Sequence, residues 1–128
     1  MYIARQDLRQ IRRIIMADYR ETVDYILGIP LFAQKIGKEN LSSLLCRLGN
    51  PEKAVPAIHV AGTNGKGSTC RALAQMLAAR GYRVGLFISP HLVSINERIQ
   101  INGTNISDDD FVSAFETVKG QFREHPSF

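Results

Sequence analysis

Tryptophan is absent from this chain, cysteine occurs twice, and aromatic residues make up 8% of its 128 positions. Each scarcity excludes something. Cys46 and Cys70 stand far apart and form no Cys-x-x-Cys pair, so a disulfide framework is not expected and free thiols in a reducing cytoplasm are. Cys70 reads as a small packed residue. No apolar run approaches the roughly 18 residues of a membrane helix, and the opening Met-Tyr-Ile-Ala-Arg-Gln-Asp lacks the apolar stretch of a secretory signal. Neither internal repeats nor low-complexity tracts occur.

What is present reads as one modest globular domain with room for its own core: 45% hydrophobic and 22% charged residues. The formal charge of +4 owes much to Arg5, Arg9, Arg12 and Arg13. Such a cluster fits a nucleic-acid patch, a solvated helix face or a surface turned toward anionic substrates. Aromatic residues do not interleave with the arginines as on a single-strand platform, so no nucleic-acid partner is expected.

Between Asp7 and Leu27, apolar residues at Leu8, Ile11, Ile15, Tyr19, Val23 and Ile26 predict an amphipathic helix with Thr22 as a candidate break. Gly28-Ile29-Pro30 ends it. Leu41, Leu44, Leu45 and Leu48 predict a short helix stopped by Gly49-Asn50-Pro51. Ala57–Ala61 and Arg83–Ile88 read as buried strands around a helix that Gly81 terminates, which together predict a parallel βαβ unit with a right-handed crossover. His59 then reads as a core histidine. Glu97–Ile101 reads as a strand, Asn102-Gly103 as a hairpin turn with Thr104–Ile106 returning, and Ser107 as the cap of a final helix. Asp108, Asp109 and Asp110 suit the positive end of that helix.

The most informative stretch is Gly62-Thr63-Asn64-Gly65-Lys66-Gly67-Ser68, lying between an expected strand and an expected helix. Small residues let backbone N–H groups turn onto phosphate oxygens, the helix N-terminus adds its positive end, and Lys66 adds a mobile cation. The spacing departs from the general P-loop. Only Thr63 and Asn64 separate Gly62 from Gly65, and Gly67 delays the hydroxyl to Ser68. Ser89, just past the second strand, falls on the rim where open α/β sheets bind ligands. It suits either a Mg²⁺ ligand or a turn residue before Pro90. His91 suits either contact with phosphate or substrate or a structural place in its loop. Glu97 and Arg98, adjacent in a strand, are expected on opposite faces.

Three motifs in order, His59–Thr69, Ser89-Pro90-His91-Leu92, and Glu97-Arg98-Ile99 with Ile101-Asn102-Gly103, resemble the folylpolyglutamate synthase/dihydrofolate synthase family of the wider Mur-type ligase group. The likeness runs from about Tyr19 to the end of the chain. Tyr25–Lys35 and Leu48–Pro51 resemble the family's N-terminal region, and Gly67 is what the family has at that place.

The resemblance implies a P-loop NTPase-like α/β fold, a parallel sheet flanked by helices. Residues 1–50 would be a helical lead-in and 56–128 the P-loop unit, hairpin and final helix. It implies a cytoplasmic, ATP-dependent amide ligase that passes through an acyl phosphate. Its small-molecule partners would be ATP, folate or dihydropteroate, and L-glutamate. By this resemblance Gly62, Thr63, Asn64, Gly65, Lys66, Gly67 and Ser68 hold the nucleotide, with Lys66 on the terminal phosphates. Ser89 ligates Mg²⁺. Gly28, Ile29, Pro30, Leu31 and His91 border the pterin substrate. The family's other Mg²⁺ ligands, its modified lysine and its C-terminal domain would lie past Phe128, so the chain is expected to be an N-terminal portion without turnover of its own. The alternatives are a non-catalytic nucleotide-binding module and a portion of a cell-wall peptide ligase, the latter disfavoured by Gly67 and Ser-Pro-His-Leu.

Overall fold

Helical spacing organises most of residues 18–29 and 38–121, which the computed structural model describes. Four helices occur there: α1 over 18–28, α2 Lys38–Arg47, α3 Lys66–Ala79 and α4 Asp108–Lys119. Three short strands, β1 Gly85–Phe87, β2 Ile99–Ile101 and β3 Thr104–Asn105, fall between α3 and α4. Contacts divide the chain into two compact units, Met1–Pro56 with Asp108–Phe128, and Ala57–Ser107.

In the first unit, aromatic residues join α1 to α4. Phe111 and Phe115, one helical turn apart, meet Tyr19 and Tyr25 edge to face, with ring centroids 5.9 Å and 5.4 Å apart. A further turn along, the Lys119 ammonium lies over Tyr25 and Phe115. Phe111 is 7% exposed and anchors this contact. The helix runs unbroken through Thr22, which is 4% exposed. The break expected at Thr22 is therefore absent, since a β-branched residue is tolerated in a helix when its face packs. α2 ends near Gly49-Asn50-Pro51 as its sequence predicts. From its last turn Arg47 Nε donates to the Gln121 carbonyl at 2.9 Å, tying α2 to the end of α4.

The second unit holds α3 and a three-stranded sheet in the order β1-β2-β3, antiparallel throughout. Gly85 faces Ile101, Leu86 faces Gln100 and Phe87 faces Ile99. The ladder runs past β1 at both ends: Asn102 N–H donates to the Val84 carbonyl and Ile88 N–H to the Arg98 carbonyl. Asn102 and Gly103, with φ of 48° and 80°, form the expected hairpin turn. Ile88 and Ile95 are the buried apolar residues. Beside them buried Asn96 donates from Nδ2 to the Ile106 carbonyl at 3.0 Å.

Two expectations fail here. Ala57–Ala61 forms no strand, and the sheet present is antiparallel rather than a parallel βαβ unit. A strand needs a partner for its N–H and C=O groups, and no described strand pairs with 57–61. Ile58 is accordingly 67% exposed, and His59, expected in the core, is also exposed. The strand expected over Glu97–Ile101 starts only at Ile99, because Ile95–Arg98 winds into a 3-10 turn first. Ser94-x-x-Glu97 is a capping box, and it fixes that turn.

Candidate functional site: a glycine loop and the cleft beside it

The loop 62–68 gets its shape from two glycines. Gly62 and Gly65 have φ of 150° and 76°, values that L side chains rarely adopt. Gly65 is the N-cap of α3 and has no side chain to bond the first amides. A helix leaves those first N–H groups without partners of its own, and the first turn of α3 holds no acidic residue. The positive end of this helix is thus neither capped nor neutralised by its own sequence. Lys66 folds back over the loop, its Nζ donating to the carbonyls of Gly62 and Thr63. Thr69 closes the turn: its N–H and its hydroxyl both donate to the Gly65 carbonyl, at 2.9 Å and 3.0 Å.

A cleft of about 200 Å³ opens beside this helix start, lined by Gly67, Ser68, Arg71, Ile88, Ser89 and Pro90. It brings together two expected site residues far apart in sequence, Ser68 and Ser89. Arg71 was not foreseen as a site residue. Its signal was present, since positions 67, 68 and 71 share one helix face at steps of three and four. No carboxylate lines the cleft.

From the cleft the chain runs into a braced arch. The Glu97 carboxylate accepts three backbone N–H groups, from Leu92 at 2.8 Å and from Val93 and Ser94 at 2.9 Å. These amides hold its carboxyl below the ordinary glutamate value, the Leu92 amide most, then Ser94 and Val93. Arg98 Nε donates to His91 Nδ1 at 2.8 Å. A nitrogen that accepts carries no proton, so the neutral imidazole is protonated on Nε2. Glu97 and Arg98 are therefore bracing residues rather than the two faces of a strand. The Ser94-x-x-Glu97 spacing was the sequence signal for the first of them.

Gly28 and Ile29 stand at the end of α1 in the other unit, where Ile29 N–H reaches the Ile26 carbonyl at 3.4 Å. Pro30 and Leu31 lie outside the described residues, as do Arg5, Arg9, Arg12 and Arg13. Among the described residues no group of three or more His, Cys, Asp or Glu is placed to hold a metal ion. Two serine hydroxyls on one cleft, with no carboxylate, fit Mg²⁺ only when phosphate oxygens bring the negative charge and the remaining ligands. The donor set suits a nucleotide-bound ion and does not suit a free one. Among the described residues no helix is long and apolar enough to cross a membrane.

These features define a mixed helix-and-sheet protein with a glycine-rich loop opening a helix and a serine-bearing strand end beside it. Comparison with known proteins narrows that class. The chain is 44% identical over 101 residues to the dihydrofolate synthase/folylpolyglutamate synthase of Bacillus subtilis, a match covering 79% of this chain and 24% of that protein. It is 43% identical to the folylpolyglutamate synthase of Lacticaseibacillus casei, over 80% of this chain and 24% of the relative. Among solved structures, folylpolyglutamate synthase from Thermotoga maritima superposes with a TM-score of 0.73 at 42% identity, over 82% of this chain and 24% of that one. A folylpolyglutamate synthase–AMPPCP–folate complex gives 0.74 at 43% identity, over 80% and 25%. No family model matches the chain. The chain belongs to the folylpolyglutamate synthase/dihydrofolate synthase family, and it spans about a quarter of the length of the relatives it matches.

Proposed function

We propose that this chain carries the phosphate-holding part of an ATP-dependent ligase that joins L-glutamate to a folate or dihydropteroate carboxylate. The observation that carries the reading is the shared cleft: Gly67 and Ser68 at an uncapped helix start line it together with Ser89, two residues past β1. The relatives' names and the AMPPCP and folate of one solved relative support it.

In this reading the amides of the loop 62–68 receive phosphate oxygens, and Lys66, already poised over the loop, moves its ammonium onto the terminal phosphate. Arg71 adds a second cation on the cleft wall. Ser89 would hold Mg²⁺ together with phosphate oxygens of the nucleotide, and the ion would neutralise charge on the transferring phosphoryl group. A substrate carboxylate oxygen attacks the γ-phosphorus and ADP leaves, giving an acyl phosphate. The glutamate nitrogen then attacks the acyl carbon, phosphate leaves with the former carboxylate oxygen, and the nitrogen loses a proton. For the first step the loop and Lys66 supply position and charge rather than covalent chemistry. We further propose that within such a ligase His91 borders the pterin.

Calorimetric titration of ATP·Mg²⁺ into the chain tests the reading. The wild type should bind, and Lys66→Ala should bind about tenfold more weakly, the scale of one lost charge-assisted contact. Equal binding by the two proteins would remove Lys66 from the site, and no binding by the wild type would overturn the phosphate reading.

A further inference from the structure

Residues 88–98 form a closed loop whose bracing is concentrated in two adjacent side chains. Its base is pinned where Ile88 N–H donates to the Arg98 carbonyl at 3.0 Å. Above the base, Glu97 gathers the N–H groups of Leu92, Val93 and Ser94, and Arg98 holds His91. The bracing is not needed to bury anything at the tip, because Leu92 and Val93 are 89% and 92% exposed. Three hydrogen bonds from successive amides to one carboxylate are strong, directional contacts. Here they fix the backbone of a segment that begins at Ser89, on the wall of the cleft.

We propose that Glu97 and Arg98 are positioning residues of the phosphate site, holding the 89–94 arch so that the Ser89 hydroxyl stays opposite Ser68 and His91 is kept with its proton on Nε2. The inference rests on the phosphate reading of the cleft. Neither side chain lines the cleft itself, so both act through the backbone and through His91. With the arch unbraced, Ser89 loses its fixed place while the glycine loop and Lys66, which are held separately, are unaffected. The two contributions to nucleotide binding are thereby separable: the loop's is independent of the metal, and Ser89's depends on it.

The experiment measures AMPPCP affinity for the full chain with and without Mg²⁺, in wild type, Ser89→Ala, Glu97→Ala and Glu97→Gln. In wild type Mg²⁺ should strengthen binding. Glu97→Ala should cut that enhancement about fivefold, as Ser89→Ala does, while metal-free affinity stays within about twofold. Glu97→Gln keeps one oxygen that can accept an amide and should fall between them. In parallel, ¹⁵N correlation spectra of the imidazoles should show His91 protonated on Nε2 in wild type and a mixture of tautomers in Arg98→Lys. An enhancement unchanged in Glu97→Ala, or a His91 tautomer unchanged in Arg98→Lys, overturns the positioning role. Absence of AMPPCP binding by the wild type overturns the phosphate reading and the inference with it, whereas binding with a Glu97-insensitive enhancement overturns the inference alone.

Discussion

At Gly67 helix stability and the cleft make opposite demands. The residue lies in the first turn of α3, where glycine costs more backbone entropy than alanine, and a Cβ built there would meet nothing within 4 Å. Alanine should therefore stabilise the protein by up to about 1 kcal/mol. Yet Gly67 also lines the cleft, and a methyl group there takes space from whatever the cleft holds. Gly67→Ala should raise the thermal midpoint while weakening ATP·Mg²⁺ binding in the titration described above. A midpoint that falls would show that the helix itself needs the glycine, and affinity that holds would show that the cleft does not. Glu97 gives the other residue-scale prediction. Its carboxyl titrates below the ordinary value of 4.5 because three amides bind the anion. A depressed folded pKa stabilises the fold above the unfolded value, and that stabilisation is lost as pH falls through the folded value. The arch is thus fully braced at neutral pH and is released only in acid. The amide signals of Leu92, Val93 and Ser94 should move together with a midpoint below 4.5, and should stay flat over the same range in Glu97→Gln.

The helices divide by what happens at their N-termini. α4 opens with Asp108, Asp109 and Asp110, which neutralise its positive end from within, whereas α3 has no acidic residue in its first turn and a glycine for its N-cap. That contrast was readable from the sequence, because caps and first-turn charges are local. For the same reason α2, α3, α4 and the Asn102-Gly103 turn fall close to where periodicity and turn chemistry put them. Ala57–Ala61 was misread because a strand is a statement about a neighbour, and apolar residues in a row do not say where that neighbour is. Glu97 and Arg98 were misread as strand because the capping box of the 3-10 turn Ile95–Arg98 overrides alternation. The cleft was half legible: the glycine loop and Ser89 were, while Arg71 needed the helix face to be drawn. At this scale α4 also carries a stability prediction. Phe111 is its buried anchor and meets Tyr19, while Phe115 is half-buried against Tyr25. Phe111→Ala should cost about 3 kcal/mol or more and Phe115→Ala distinctly less. Urea unfolding followed through tyrosine fluorescence gives both values, and equal losses would mean that α4 is not anchored at Phe111.

Across the whole molecule, the apolar residues that find cover are few beside those that do not. Ile88, Ile95 and Phe111 are the buried apolar residues among those described, while Ile58, Phe87, Leu92 and Val93 stand largely open in the unit Ala57–Ser107. Burying one such side chain completely is worth about 1.5–3 kcal/mol. Several exposed together make a surface that gains by association, because contiguous apolar area is what mediates protein–protein contact. The unpaired stretch Ala57–Ala61 adds open backbone N–H and C=O groups beside Ile58, and open backbone of that kind templates pairing with another chain. The isolated chain should therefore bind an apolar dye such as ANS and sediment with a mass that rises with concentration. Replacing Ile58 and Phe87 by lysine should reduce both signals without shifting the thermal midpoint by more than a few degrees, since neither side chain is packed. A chain that stays monomeric and dark to the dye at high concentration would show that these side chains are harmless singles rather than one adhesive face. Lys66→Ala separates this surface from the phosphate site, because it should leave association unchanged while weakening nucleotide binding.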